Sequence, residues 1–407
     1  MKFAHMADVH IGSWRDPKLK DISTTAFEKA VDVCIYEQVD FVLISGDLFN
    51  TALPSIDKLK AAVIKLRDLK QKGIAVYIIP GSHDFSPSGK TMLDVLEEAE
   101  LLINVVKGTI IDGKLRLKFT VDKKTGAKIT GMLGKRGSLE TKIYEDLSKD
   151  EIENEEGYKI FMFHSALTEL KSKEHENMIS APLSLLPKNF DYYAGGHVHE
   201  IKEAFVESYG KILYPGPLFP ANFKELEELL GGGFYIVDGN KIEYKPIQVY
   251  NVFPIQINAQ NKTPEKVTEE ILEQTSGKEF FNTIVTIRVE GTLTEGKPSE
   301  VDFKKVFQAL YDKSAYFVMK NTNKLISKEF KEMKIASGSV EELENNLINE
   351  HTGQFPMPGI PKEKEREFIK SLINALDLEK NEGERITEFE TRIKNNVDSA
   401  IVQQRGS

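Results

Sequence analysis

The sequence is poor in cysteine and in long apolar runs. Cys34 is the only cysteine among 407 residues, so no intramolecular disulfide can form, which fits a reducing compartment. Apolar stretches such as Phe41–Ser45 are far shorter than the roughly 20 residues that cross a bilayer. The first residues contain no long apolar segment, so we expect no secretory signal. Together these absences predict a cytoplasmic protein.

Positive charge is also scarce. The chain has 54 Lys and Arg against 63 Asp and Glu, which gives a formal net charge of −9. This balance argues against a protein held to nucleic acid by overall basicity, although it allows a local basic groove. The 40% hydrophobic and 29% charged fractions are typical of a globular protein, and the length predicts two or three domains.

The N-terminal part alternates strand and helix patterns. Residues 2–7, 41–45 and 74–80 are apolar runs typical of buried strands, and helical periodicity fills the segments between them. Further short strands, separated by turn residues, continue to about residue 250. The pattern predicts an α/β fold, a two-sheet α/β sandwich with helices on its faces, as a first domain over residues 1–250.

Two further segments follow the sandwich. Strand and helix patterns alternate again over residues 251–330, which predicts a smaller α+β domain that contains no histidine. Residues 331–407 are highly charged, and a proline-rich stretch at 355–361 interrupts their short amphipathic helices. These helices are too few to build a core of their own, so their apolar faces either pack back on the chain or bind a partner.

Histidines and aspartates gather where the predicted strands of the first domain end. Five such groups occur in order along the chain: Asp8-Val9-His10, Gly46-Asp47, Gly81-Ser82-His83-Asp84, Phe163-His164 and Gly195-Gly196-His197-Val198-His199. In α/β sheets, ligands bind just beyond the carboxyl ends of the strands, so five strand ends can direct these side chains to one place. A single pair of this kind is a common accident, whereas all five in order indicate a shared site.

The residue types in these groups favour metal chemistry. Imidazoles and carboxylates, with no thiolate, are ligands of Mn, Fe, Zn and similar divalent ions. The Asp-x-His and His-x-His spacings place alternate residues on the same side of an extended segment. Three such ligands per ion, with one aspartate shared, would hold two ions about 3.5–4 Å apart. Such a pair lowers the pKa of a water molecule toward ~7 and positions a phosphoryl group for in-line attack.

In this order the five groups resemble the calcineurin-like metallophosphoesterase superfamily. Within it, residues 41–49 followed by residues 80–84 are similar to the Mre11 (SbcD-like) repair nucleases, most closely in their archaeal form. The similarity covers about the first 220 residues. It implies a metal-dependent DNA exonuclease and endonuclease that hydrolyses phosphodiesters in double-strand-break repair.

The resemblance also implies a metal site and its ligands. The cofactors would be two Mn²⁺ ions per chain, with Mg²⁺ or another divalent ion as the alternative. One ion would be bound by the first motif and the last histidine, the second ion by two other histidines, and one aspartate would bridge them. In this sequence the ligands of the first ion would be Asp8, His10 and His199, those of the second His164 and His197, and the bridge Asp47.

The third group would act on the substrate. His83, steadied by Asp84, would contact the scissile phosphate and help to protonate the leaving oxygen. The preceding residue in the family is usually an asparagine that binds the second ion. Here it is Ser82, whose shorter hydroxyl predicts a weaker second site or a link through water. Many relatives have a histidine three residues after the bridging aspartate, and here that residue is Asn50.

The partners that the resemblance implies are DNA, a second copy of the chain and an ATPase. Helices at 54–72 and 91–101 would supply the interface of a homodimer, unless their apolar stripes cover their own sheet. The domain at 251–330 would cap the cleft and hold duplex DNA. The tail at 331–407 would bind the coiled-coil base of a Rad50/SbcC-type ABC ATPase. Such a protein would work in the cytoplasm, in association with the nucleoid.

Two other functions stay open from the sequence. The same enzyme could act on a small phosphodiester or a phosphoprotein, or the chain could be a metal-poor scaffold of the same fold. Only Ser82 and Asn50 favour the scaffold, because the rest of the ligand set is intact. His5 lies inside the first predicted strand, which favours a core residue or a support of the ligands over a ligand.

Overall fold

A computed structural model describes residues 1–86, 91–135, 141–172, 176, 178–330, 340–353, 360–379, 381 and 386–405. The chain divides into two compact units, Met1–Val252 and Phe253–Ser407. Most of the predicted proline-rich stretch, at 354–359, lies outside the described residues. Among the helices that are described, none has the length and apolar character needed to span a membrane.

The strands of the first unit are short and mostly buried. In chain order they are β1 (Lys2–Met6), β2 (Phe41–Ser45), β3 (Ala75–Ile79), β4 (Ile103–Asn104), β5 (Gly108–Ile111), β6 (Lys114–Leu117), β7 (Thr120–Val121), β8 (Lys128–Gly131), β9 (Leu147–Ser148), β10 (Lys159–His164), β11 (Tyr192–Gly196), β12 (Ile201–Val206), β13 (Gly210–Pro215), β14 (Gly232–Asp238) and β15 (Lys241–Ile247).

These strands build two six-stranded sheets. The first has the order β15-β14-β1-β2-β3-β4, with β1 to β4 parallel and β14 and β15 antiparallel at one edge. The second has the order β12-β13-β11-β10-β8-β7, again with a parallel centre. A small third sheet has the order β5-β6-β9. The predicted two-sheet α/β sandwich is confirmed.

The core between the two large sheets is made of large apolar side chains. Phe3 of β1 stacks on Phe41 of β2, with ring centroids 5.1 Å apart, and meets the edge of Tyr192 of β11 at the same distance. Full burial of one such side chain contributes roughly 1.5–3 kcal/mol. All five residues of β2 are buried, which explains why its sequence is a continuous apolar run rather than an alternating one.

The helices of the first unit connect the strands. They are α1 (Ile22–Tyr36), α2 (Ile56–Gln71), α3 (Met92–Glu98), α4 (Thr141–Glu145), α5 (Asp150–Glu153) and α6 (Phe223–Leu229). Helix α2 buries Ala62, Leu66 and Leu69, so this part of its apolar stripe is covered by its own chain. Ile56 at its start and Leu53 just before it remain 85% and 69% exposed.

The second unit has its own small sheet and core. Its strands are β16 (Asn251–Asn258), β17 (Thr283–Thr292), β18 (Phe317–Asn321) and β19 (Leu325–Ile326), and its helices are α7 (Pro264–Gln274), α8 (Phe303–Asp312), α9 (Val340–His351), α10 (Glu365–Leu376) and α11 (Ile386–Arg405). Helices α7 and α8 pack beside the sheet around buried residues such as Val267 and Val306. An α+β body followed by helices agrees with the predicted fold class. The predicted division of this unit near residue 330 stays a prediction.

Candidate metal centre

The five predicted groups all lie at carboxyl ends of parallel strands. The first sheet contributes Asp8 and His10 after β1, Asp47 after β2, and Ser82, His83 and Asp84 after β3. The second sheet contributes His164 as the last residue of β10, and His197 and His199 after β11. Because the two sheets face each other, these ends meet at one edge of the sandwich.

The backbone at this edge is unusual. Five residues here have φ values in the left-handed region, which residues other than glycine adopt uncommonly. They are Asp8 (50°), His10 (47°), Asp47 (54°), His197 (93°) and His199 (53°). Each such residue costs of order 1–3 kcal/mol, and such residues persist where the surrounding structure fixes them, most often at functional sites. The loops are fixed to each other, since the His10 N–H donates to the Asp47 carbonyl at 2.9 Å.

The side chains converge in three overlapping groups, within each of which the potential ligand atoms lie within 4.8 Å of one another. These groups are Asp8 with His10 and His199, His10 with Asp47 and His83, and Asp8 with Asp47 and His164. The first group is the set predicted for one ion. Asp8, His10 and Asp47 each belong to two of the groups, so the groups overlap, and the bridging role of Asp47 stays a prediction.

Both carboxylates lie close to imidazole nitrogens. Asp47 Oδ2 lies 3.2 Å from His164 Nε2 and 3.7 Å from His10 Nε2. Asp8 Oδ1 lies 3.6 Å from His199 Nε2. His10 Nε2 and His199 Nε2 are 3.0 Å apart, so two ring nitrogens approach each other beside the carboxylates.

His197 is placed differently from the other histidines. It is in none of the three groups, and its backbone N–H lies 3.0 Å from both carboxylate oxygens of Asp8. Its ring contacts that of His164, with centroids 5.1 Å apart. Burial, followed by the neighbouring His164, lowers the pKa of His197 to about 3, which keeps the ring neutral. A neutral imidazole at this place has a lone pair to offer a cation.

The outward nitrogens of two histidines are held by hydrogen bonds. His164 Nδ1 lies 2.8 Å from the Ser45 carbonyl, and His199 Nδ1 lies 2.9 Å from Glu225 Oε1. Since both partners are acceptors, each Nδ1 carries the proton and each Nε2 faces the cluster. Histidine ligands of metals almost always have such an outer partner. His164 Nε2 is buried 3.2 Å from Asp47 Oδ2 without a well-aligned hydrogen bond, and a cation would satisfy both atoms, so the residues fit a divalent metal.

The electrostatics of the cluster also favour a cation. Burial opposes protonation of His164, yet the adjacent Asp47 carboxylate outweighs it and raises the pKa of His164 to about 10. Burial also opposes protonation of His199, but the neighbouring Asp8 and Glu225 carboxylates outweigh it and raise the pKa of His199 to about 9. Protons thus occupy this anionic site when no metal does, and a metal ion has to displace them.

His83 and Asp84 have separate partners. His83 Nδ1 lies 2.9 Å from the main-chain carbonyl of Asn50, and its ring meets the His10 ring edge-on at 4.7 Å. The Asp84 carboxylate accepts backbone N–H groups from Leu48, Phe49 and Gly81 at 3.1–3.2 Å. Asp84 therefore joins the loops after β2 and β3, whereas the expected support of the His83 ring comes from Asn50.

Ser82 is buried beside the Asp47 carboxylate. Its hydroxyl lies 3.4 Å from Asp47 Oδ2, and the next N–H, that of His83, donates to Asp47 Oδ1 at 2.7 Å. The loop after β3 is thus anchored on Asp47. The hydroxyl lies beside the cluster, and its role as a ligand stays a prediction.

Sequence reasoning missed Glu225. This residue lies in α6, where Asn222 caps the helix and the Ala221 N–H donates to Glu225 Oε2 at 2.7 Å. Burial opposes ionisation, but the bond to His199 outweighs it and lowers the pKa of Glu225. A glutamate 26 positions after its histidine, in a charged helix, carries no sequence signal of this contact.

Comparisons with known proteins agree with this geometry. The family model described as calcineurin-like phosphoesterase matches residues 1–201. Three archaeal proteins named DNA double-strand break repair protein Mre11 are similar to the chain. That of Archaeoglobus fulgidus is 25% identical and covers 97% of this chain and 90% of its own length. The protein of Methanocaldococcus jannaschii is 30% identical, over 62% of this chain and 67% of its own length. That of Sulfurisphaera tokodaii is 26% identical, over 92% of this chain and 97% of its own length.

Proposed function

The chain belongs to the archaeal Mre11 family of calcineurin-like phosphoesterases, and from this premise we propose that it is a manganese-dependent DNA nuclease of double-strand-break repair. The observation that carries the proposal is the cluster around Asp47, in which carboxylates and imidazoles from five strand ends meet. The names of the relatives support DNA as the substrate.

The residues divide between two ions. Asp8, His10 and His199, which form one of the three groups, would hold one ion. His164 and His197, whose rings are in contact, would hold the other, with Asp47 shared and Ser82 near the second. Two divalent ions in such a site supply an activated water and neutralise charge on the phosphoryl oxygens. Imidazoles and carboxylates without thiolates suit manganese and similar ions. Glu225 and the Ser45 carbonyl orient two of the histidines from outside.

His83 is suited to move a proton. Since the Asn50 carbonyl can only accept, His83 Nδ1 keeps its proton in both charge states, and Nε2 is the atom that takes or gives one. Its ring lies at the edge of the cluster and is partly open to solvent. We assign it to contact the scissile phosphate and to protonate the leaving oxygen.

The proposal includes two protein partners. Ile56 at the start of α2 and Leu53 just before it are exposed and would belong to the homodimer interface. In the tail, Leu376 of α10 and Val402 of α11 are 56% and 69% exposed, and would contact the coiled-coil base of a Rad50/SbcC-type ABC ATPase. Such exposed apolar residues on amphipathic helices are typical of surfaces that bind a partner helix.

Digestion of linear duplex DNA tests the function. We expect cleavage with Mn²⁺, none with EDTA, and a rate that falls steeply with salt, because a duplex is bound through its phosphates. A chromogenic phosphodiester assayed in parallel separates the nuclease from a small-molecule phosphodiesterase. Efficient hydrolysis of that compound with intact DNA would contradict the proposal. The assay is repeated with an ABC ATPase partner to detect its contribution.

Ser82→Asn should strengthen binding of the second ion. An amide oxygen reaches further than the hydroxyl, so we expect Mn²⁺ to bind that site about tenfold more tightly, or about 1.4 kcal/mol. Calorimetric titration measures both sites, and Ser299→Asn, at an exposed serine of the second unit, is the control. Equal affinity in Ser82→Asn and wild type would show that position 82 is not a ligand. No binding by the wild type would leave only the scaffold function.

A further inference from the structure

A chain of hydrogen bonds runs behind the metal cluster through a histidine that the mechanism does not use. His5 of β1 is fully buried, and its Nδ1 lies 2.9 Å from the Tyr192 hydroxyl. Its Nε2 lies 3.0 Å from Ser45 Oγ, which in turn lies 3.0 Å from the Ala194 carbonyl. A buried imidazole with both nitrogens bonded has one orientation available to it.

The direction of each bond follows from the last acceptor. The Ala194 carbonyl can only accept, so the Ser45 hydroxyl donates to it and accepts from His5 Nε2–H. His5 Nδ1 then accepts from the Tyr192 hydroxyl. Burial lowers the pKa of His5 to about 3, against the smaller opposing effect of a backbone hydrogen bond with Gly195, so the ring is neutral. The side-chain polar groups of His5, Ser45 and Tyr192 thereby all have a hydrogen-bond partner.

Ser45 connects this chain to a ligand. Its carbonyl is the acceptor for His164 Nδ1, the bond that turns His164 Nε2 toward Asp47. The contact needs unusual space, because a Cβ on Gly196 would overlap the Ser45 carbonyl and a Cβ on Gly46 would overlap the His164 ring. Gly46 also has a φ of 88°, which glycine adopts without strain.

The chain also joins the two sheets directly beneath the site. His5 and Ser45 belong to β1 and β2 of the first sheet, whereas Tyr192 and Ala194 belong to β11 of the second. His164 is in β10, beside β11. These hydrogen bonds therefore fix the position of Ser45 relative to the second sheet, which also contains His164.

We propose that His5 is a positioning residue of the metal centre: through Ser45 it fixes the carbonyl that holds His164 in the orientation a metal ligand needs. The inference rests on the proposed function, because it takes His164 as a ligand. The competing account is an ordinary core histidine, whose ring packs edge-on against Tyr192 with centroids 5.6 Å apart. The two accounts differ in what happens to metal affinity when packing is kept.

Three variants of the full chain test the proposal. His5→Phe keeps the ring and removes both hydrogen bonds, whereas His5→Gln keeps an amide N–H near the place of Nε2 and can still donate to Ser45. Tyr193→Phe is the control, because it removes a buried hydrogen bond of β11, at 2.6 Å to the Pro187 carbonyl, away from the metal cluster. Each protein is titrated with Mn²⁺ by calorimetry, and the melting temperature is measured without metal.

We expect His5→Phe to weaken one of the two Mn²⁺ sites by about tenfold, the lower end of the effect of losing a ligand's own outer partner, because His5 acts through Ser45. His5→Gln should recover most of that affinity. Tyr193→Phe should lower the melting temperature and leave both affinities unchanged. Should His5→Phe not fold, Ser45→Ala removes the same link from its other end and should weaken the same site.

Two results would overturn the proposal: wild-type affinities at both sites in folded His5→Phe, or equal weakening in His5→Phe and Tyr193→Phe. Absence of Mn²⁺ binding by the wild-type chain is a separate outcome. It would refute the proposed function itself, and with it the premise of this inference.

Discussion

His83→Ala should lower the rate of DNA cleavage by about 10²–10⁴-fold while both ions stay bound. The size is that of losing a general acid, because the variant removes the group that protonates the leaving oxygen. Metal binding should persist, since the carboxylates and the other histidines keep their contacts around Asp47. Single-turnover cleavage at saturating enzyme measures the chemical step, and calorimetric titration with Mn²⁺ measures the sites.

The control for this variant is His351→Ala, which removes a histidine of α9 in the second unit. It should cleave DNA at the wild-type rate. The assignment of His83 fails if the alanine variant loses an ion, because the residue would then be a ligand rather than a proton donor. A role as a ligand is a real alternative for His83, because its ligand atom lies within 4.8 Å of those of His10 and Asp47. Titration of the variant distinguishes the two roles.

Asp47→Asn should abolish both metal binding and cleavage. The carboxylate lies 3.2 Å from His164 Nε2 and 3.7 Å from His10 Nε2, and an amide of the same shape lacks its charge. We expect the affinity of both Mn²⁺ sites to fall by more than about 10²-fold and cleavage by at least about 10⁴-fold, or about 5.5 kcal/mol of transition-state stabilisation.

Asp32→Asn is the matched control for Asp47→Asn. Asp32 is a partly exposed aspartate of α1 that pairs with Lys65 at 2.6 Å, and its loss should change neither binding nor rate. The amide at position 47 can still accept the His83 N–H, so the loop after β3 should keep its place. Retention of one full-affinity site in Asp47→Asn would show that the aspartate serves a single ion.

The sandwich and most of its site were predictable because their signals are local. A buried parallel strand is a continuous apolar run, as in β2, and the polar residue that ends it stands beside it in the sequence. Asp47 could thus be found from residues 41–47 alone. The shared location of five such ends followed from the parallel order of the strands.

Other parts of the site have no local signal. The group that orients His83 is the main-chain carbonyl of Asn50, which every residue type possesses, so the side chain at that position predicts nothing about the contact. Glu225 meets His199 only because α6 returns to the cluster after β12 and β13. The sequence predicts that Asp84 supports the His83 imidazole. In the structure the buried Asp84 carboxylate instead accepts backbone N–H groups, among them those of Leu48 and Gly81.

The division of the ligands between two sheets has a thermodynamic consequence. Asp8, His10 and Asp47 come from one sheet and His164 and His199 from the other, so cations bound among them would cross-link the sandwich at its catalytic edge. Binding to the folded state alone adds about 2.7 kcal/mol of stability when the free ion is at 100 times its Kd. Chelation would therefore stop cleavage and also lower the temperature at which the protein unfolds. The thermal stability of the nuclease would then depend on the concentration of free metal.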